Sequence, residues 1–129
     1  MTLQVSAQSN TQKWLTNYET ALATAERLDQ PIFAFVTDGT DSSELKLLEQ
    51  ELFESETFRS LTGKVTFLKM DANSANMDVK RHAIHFTKSK SVPAIGLIDY
   101  QMEMTGAPLN KITSENISAF LSFLEEKFN

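Results

Sequence analysis

The chain has 129 residues, no cysteine and a net charge of −5, with 12 basic residues against 17 acidic ones. The length fits a single domain, and the acidic balance argues against a general nucleic-acid binder, because phosphate binding relies on clustered Lys and Arg. The absence of cysteine excludes disulfides, thiolate metal sites and thiol-based mechanisms.

The N-terminal stretch is polar and aperiodic. We predict that residues 1–9 form a flexible tail and residues 10–129 one domain. The stretch has neither the charged start nor the apolar segment of a signal peptide. No apolar run in the sequence approaches the ~20 residues of a membrane span. The sequence therefore predicts a soluble protein without a membrane span. Its compartment stays open between the cytoplasm and export with a trimmed signal.

The first helix and strand follow this stretch. From Thr11 the apolar residues recur at helical spacing, which predicts a helix that ends near Asp29, before Pro31. The stretch "PIFAFV", residues 31–36, is continuously apolar, which is typical of a central strand buried on both faces.

A second helix is predicted after the Asp38-Gly39 break. Its apolar stripe includes Leu45 and Leu48, and Asp41 is the predicted N-cap, with Glu44 completing a capping box. The stretch "KVTFLKMD", residues 64–71, predicts a second buried strand.

The rest of the chain alternates in the same way. We predict a short helix over 77–86, a third strand in "VPAIGLIDY", a fourth, edge strand in "QMEMTG" and a last helix capped by Thr113 or Ser114. Alternating strands and helices favour parallel units, and the two closing strands favour an antiparallel hairpin. In the last helix Phe123 is out of step with the apolar stripe, so we expect it to be exposed.

This order, with Val92-Pro93 opening the third strand, resembles the thioredoxin-like family. Three stretches carry the resemblance: "QPIFAFVTDGTDSSELKLLEQELF", "VTFLKMDAN" and "SVPAIGLID". Thr105-Gly106 stands where the family often has a glycine after its last strand. The resemblance implies an α/β fold with a central mixed sheet of four strands, or five, flanked by helices. It also implies a cis bond before Pro93.

The resemblance fails at the residues that carry the family's chemistry. Its Cys-x-x-Cys pair falls near Ser42 and Leu45, so no thiol is present there. A serine hydroxyl has too high a pKa to replace a thiolate and cannot form a disulfide. Disulfide exchange by the family mechanism is therefore excluded.

The candidate binding site is the region that corresponds to the family's active site but lacks its two cysteines. The resemblance implies that the backbone before the conserved proline pairs with extended peptides. The predicted site residues are Asp41, Ser42, Ser43, Glu44, Val92 and Pro93. The first four residues could form an anion-binding or polar recognition turn, because free N–H groups at a helix start attract anions. Simple helix capping is the alternative, because Asp41 and Glu44 would repel an anion.

Other candidate chemistry is weaker. His82 and His85 are spaced to share a helix face, but no third ligand is adjacent, so we predict no metal site. The basic cluster from Lys80 to Lys90 is read as a solvated surface or a local anion-binding one.

These observations predict a redox-inactive binding or adaptor protein that holds a peptide or protein partner, without a cofactor. One alternative is a non-redox enzyme on the same fold, such as a transferase in which Ser42 activates a bound thiol cofactor. The other is an accessory subunit that binds through its helical faces.

Overall fold

A computed structural model of the protein describes residues 13–128. The predicted flexible tail, residues 1–9, lies outside them. The elements follow in chain order: α1 Tyr18–Leu28, β1 Ile32–Thr37, α2 Ser43–Leu48, which continues as a π-helical turn over Glu49–Phe53, α3 Glu56–Arg59, β2 Thr66–Asp71, α4 Met77–Thr87, β3 Ala94–Ile98 and α5 Ser114–Phe128. No helix of these residues is long and apolar enough to cross a membrane.

The three strands form one mixed sheet in the order β2-β1-β3. β1 is parallel to β2, with Ile32 opposite Thr66, and antiparallel to β3, with Ile32 opposite Ile98. All six residues of β1 are buried. This confirms the prediction of a central strand covered on both faces, which its unbroken apolar run indicated.

The predicted count of four or five strands is wrong for the described residues, which contain three. The segment predicted as the fourth strand pairs with β3 only through a single bridge between Met104 and Ile98. Leu109 then pairs with Ile95, two residues out of register with the first bridge. Gly106, with a φ of 72°, and Pro108, which has no N–H to donate, lie between the two bridges and interrupt the ladder.

The first helix begins later than predicted. Leu15 makes a parallel bridge to Leu68 through hydrogen bonds of 2.8 Å to the backbones of Phe67 and Lys69. α1 starts at Tyr18, and the side chain of Asn17 caps it by accepting a hydrogen bond from the Thr20 N–H. Leu15 therefore adds a single bridge to the edge of the sheet beside β2.

One face of the sheet, here called the aromatic face, packs against α2, α3 and α5. Phe33, Phe35 and Phe67 point to it from the strands. Trp14 lies over them and its ring centroid is between 5.3 and 6.3 Å from five phenylalanine rings. Large rings therefore fill the space between the sheet and these helices.

The opposite face, here called the small-residue face, packs against α1 and α4. Ala34 and Gly96 lie opposite each other in the β1–β3 register. A Cβ on Gly96 would lie 1.8 Å from the backbone oxygen of Phe86 near the end of α4. Only a residue without a side chain allows this approach, so α4 rests directly on the backbone of β3.

The last helix is capped by Thr113, one of the two predicted caps, whose hydroxyl accepts a hydrogen bond from the Asn116 N–H at 3.1 Å. The expectation that Phe123 is exposed is wrong. Its side chain is half-buried, and a Cβ on Gly106 would lie 2.5 Å from the Phe123 ring. The ring therefore covers Gly106, which explains a glycine at the position that the family resemblance singled out.

Candidate functional site

The turn after β1 is closed by its own polar groups. The Asp38 carboxylate accepts a hydrogen bond from the Thr40 N–H at 2.9 Å, and the Thr37 hydroxyl accepts one from the Gly39 N–H at 3.2 Å. Hydrogen bonds from the backbone and side chain of Thr40 hold the pKa of Asp38 below its ordinary value. The turn is thus a defined structure at the end of a buried strand, with its carboxylate ionised near neutral pH.

The helix that follows begins one residue later than predicted. Ser42, and not Asp41, is the N-cap of α2, and its hydroxyl accepts a hydrogen bond from the Leu45 N–H at 3.1 Å. The predicted capping box is therefore absent, because the residue three positions after the cap is Leu45, which has no carboxylate to return the hydrogen bond. Asp41 is exposed, and Glu44 instead accepts a hydrogen bond from the Ser43 hydroxyl at 3.3 Å.

The sheet brings Val92 and Pro93 to the same edge as this turn. Val36 and Ala94 form the last pair of the antiparallel β1–β3 ladder, so the next residues along the two chains are Thr37 and Pro93. The peptide bond between Val92 and Pro93 is cis. Pro93 is buried, whereas Val92 is half-buried and packs against the small-residue face. We call the turn 38–44 together with 91–93 the strand-end edge.

Several main-chain groups at the strand-end edge have no partner within residues 13–128. The N–H and the carbonyl group of Val92 make no hydrogen bond there, and neither do the N–H groups of Ser43 and Glu44. The first N–H groups of a helix lack hydrogen-bond partners within the helix. A residue that precedes a strand likewise lies outside the hydrogen bonds between paired strands. The edge therefore offers donors and an acceptor on both sides of one sheet corner.

The chemistry available at this edge is limited. Its side chains supply hydroxyl and carboxylate groups, and it contains neither a thiol nor an imidazole. Ser42 uses its hydroxyl as a hydrogen-bond acceptor for the helix N–H, and no histidine lies in the turn or in 91–93 to act as a base. The edge can hold an extended chain by main-chain hydrogen bonds, but it lacks an activated nucleophile.

The two histidines lie elsewhere and have separate environments. His82 stacks on Tyr18 at a centroid distance of 4.2 Å, and its Nδ1 lies 2.7 Å from the Asp78 carbonyl oxygen. His85 approaches the Met102 carbonyl oxygen at 3.0 Å. No group of three or more potential metal ligands occurs in the described part of the chain. His82 thus packs α4 against Tyr18 of α1, and His85 connects α4 to the backbone after β3.

A depression that the sequence did not predict lies on the other side of the turn. It has a volume of about 440 Å³ and is lined by Asp38 and Gly39 after β1 and by Lys69 and Asp71 at the end of β2. The parallel β1–β2 pairing, with Thr37 opposite Asp71, creates it by placing both strand ends together. The signal was available in the sequence, because Asp38 and Asp71 each occur at the end of a predicted parallel strand.

The protein is similar to known proteins in its structure. No family model matches the sequence, and no curated protein matches it. The structure is similar to one described as "DsbH Oxidoreductase", with a TM-score of 0.64, 16% identity and coverage of 91% of this chain and 85% of that chain. It is also similar to a disulphide isomerase from Xylella fastidiosa Temecula1, with a TM-score of 0.58, 13% identity and coverage of 84% and 88%.

Both of these similar structures are thioredoxin-like proteins, and each aligns with most of this chain. At such low identity the likeness establishes the fold and does not transfer an activity. The protein therefore has a thioredoxin-like fold, built from a sequence that contains no cysteine.

Proposed function

We propose that this protein is a redox-inactive binding module that holds an extended segment of a peptide or protein partner at the strand-end edge. The observation that carries the proposal is the pair of unbonded main-chain groups on Val92, at the edge of the sheet where β1 ends and β3 begins. Extended peptides bind exposed strand edges through main-chain hydrogen bonds, and side-chain pockets then supply specificity.

Two further features support this reading over a catalytic one. The hydroxyl of Ser42 accepts the Leu45 N–H, so it already serves the helix. The turn also carries the carboxylates of Asp38, Asp41 and Glu44, which disfavour an anionic ligand such as a phosphate or an acidic cofactor. An uncharged or basic extended segment fits the same electrostatics.

The proposal is tested with peptides selected from a random display library on the full chain. Arginine introduced at exposed Thr40 or Ser91 should obstruct the edge and weaken a selected peptide at least about tenfold, which equals ~1.4 kcal/mol. Ser60→Arg is the matched control, because Ser60 is also exposed but follows α3, away from the edge. Fluorescence anisotropy with a labelled selected peptide gives the affinities.

Two results would overturn the proposal. One is equal peptide affinity for the unmodified protein and for the variants at Thr40, Ser91 and Ser60, and the other is a library that yields no binding peptide. The redox part is checked separately, with insulin as the disulfide substrate. The pure protein should not reduce insulin above a protein-free blank, because it has no thiol to attack a disulfide.

A further inference from the structure

The outer face of α4 combines two exposed apolar residues with several basic residues. Met77 is 64% exposed and Ile84 is 38% exposed, and they are two of the four large exposed hydrophobic residues in the described part of the chain. Residues seven apart lie on one side of a helix, about 10 Å from each other along its axis. Arg81 falls on the same side at helical spacing, Lys80 flanks it, and Lys88 is the C-cap residue that directly follows the last turn.

The charge on this face is strongly one-sided. Residues 77–90 contain four basic residues, Lys80, Arg81, Lys88 and Lys90, against one acidic residue, Asp78, although the chain as a whole has a net charge of −5. Arg81 forms an ion pair with Asp78 on the same helix. The side chains of the three lysines make no ion pair or hydrogen bond with any residue that the structure describes. The lysine cations are therefore available to a partner.

The opposite side of α4 explains why this face does not serve the fold. Ala83, Phe86 and Thr87 are buried against the sheet, and the backbone of Phe86 rests on Gly96. The outer stripe lies across the helix from these contacts, and neither Met77 nor Ile84 belongs to either hydrophobic core cluster. The observation that points to a partner is therefore the local excess of positive charge beside these two residues, which is complementary to an acidic surface.

From this geometry we propose that the outer face of α4, defined as Met77, Lys80, Arg81, Ile84 and Lys88, docks an acidic amphipathic protein segment. Charge complementarity selects the acidic partner, and Met77 and Ile84 supply two apolar contacts. This surface shares no residue with the strand-end edge and does not depend on the function proposed for that edge.

Two other anionic partners fit less well. A membrane-surface helix carries Trp, Phe or Leu on its apolar side, whereas this stripe has one methionine and one isoleucine. Nucleic-acid domains are strongly basic, whereas this chain has a pI near 5.0. The acidic remainder of the molecule would repel either polyanion at long range, whereas a short protein segment need contact only the local basic face.

The test uses a fluorescein-labelled helical peptide of about 20 residues, with leucines at i, i+3, i+4 and i+7 and glutamates on the flanks. A scrambled peptide of the same composition is the control ligand. The full chain should bind the first peptide and not the second, with backbone amide shifts confined to residues 77–90. Raising the ionic strength from about 0.05 to 0.5 M should weaken binding, because exposed charges are screened.

Substitutions on the outer face of α4 test which side chains contribute to peptide affinity. Reversing Lys80 and Lys88 to glutamate, or replacing Ile84 by serine, should weaken the peptide at least about tenfold. Reversal of Lys111 and Lys127, which are exposed on the α5 side of the sheet, is the matched control and should leave affinity unchanged. Because all these positions are exposed or half-exposed, circular dichroism should show each variant folded.

Four results would overturn the proposal. They are equal binding of the scrambled peptide, amide shifts at the strand-end edge, binding only to vesicles containing anionic phosphatidylserine, and self-association of the protein through this face in sedimentation. Loss of the strand-end edge by Thr40→Arg should leave this peptide's affinity unchanged, so the two proposals fail independently.

Discussion

The two faces of the sheet solve the same packing problem with opposite means. On the aromatic face, rings such as Phe33 and Phe58 meet edge to face at a centroid distance of 5.4 Å. On the small-residue face, alanines and Gly96 let α1 and α4 approach the strands closely. The first face depends on the volume of its side chains, and the second depends on their absence.

This contrast also explains where function can lie. Both faces are closed by helices, and within residues 13–128 no buried side-chain polar atom lacks a hydrogen-bond partner. Unpaired main-chain groups occur instead at the strand-end edge, where β1 ends and β3 begins. The scaffold thus leaves one corner of the sheet available for another chain.

The largest expected effect is the loss of a ring from the aromatic face. Phe33 is fully buried and its ring lies near those of Trp14, Phe58 and Phe67. Phe33→Ala should lower the free energy of unfolding by about 3–5 kcal/mol, because the cavity cannot collapse fully. Urea denaturation measures this loss. A loss below about 1 kcal/mol would contradict the packing assigned to this face.

The next effect comes from adding one methyl group to the small-residue face. Gly96→Ala places a Cβ against the Phe86 carbonyl and should cost about 3 kcal/mol by displacing α4. Gly39→Ala is the matched control. Its Cβ has open space but its φ is 82°, so only the backbone penalty of about 1 kcal/mol applies. Equal losses in the two variants, measured by urea denaturation, would refute the close approach of α4.

A smaller effect is expected from restoring thiols at the strand-end edge. Ser42→Cys with Leu45→Cys should form a disulfide, because the two residues occupy the cap and third positions of α2. Truncating half-buried Leu45 should cost on the order of 1–2 kcal/mol. Thiol titration after oxidation, with Ser42→Cys alone as control, gives the outcome. If the two cysteines stay reduced in a folded protein, the family's Cys-x-x-Cys pair does not correspond to positions 42 and 45.

The central strand β1 could be predicted from the sequence because burial on both faces requires a continuous apolar run. β1 has six consecutive buried residues, and such an apolar run leaves few alternatives to a central strand. The start of α1 was misplaced because the spacing of Trp14, Leu15 and Tyr18 fits both a helix and a strand whose neighbours point to opposite faces. Tertiary contact with β2 decided between them.

The site was readable to a lesser extent. The stretch Asp41-Ser42-Ser43 offers three good capping residues in a row, and sequence rules alone do not choose among them. The structure selects Ser42, which moves the helix start by one residue and removes the capping box. Lys69 and Asp71 were missed because their place beside the turn depends on the pairing of β1 with β2.

The central claim is that the strand-end edge holds an extended partner, independently of the segment proposed for the outer face of α4. The most direct measurement is a titration of isotopically labelled protein with an edge-selected library peptide, followed by backbone amide shifts. The account predicts the largest shifts at Ser43, Glu44 and Val92, whose N–H groups have no partner within residues 13–128. Shifts confined to α4 or α5, with these three amides unchanged, would contradict it.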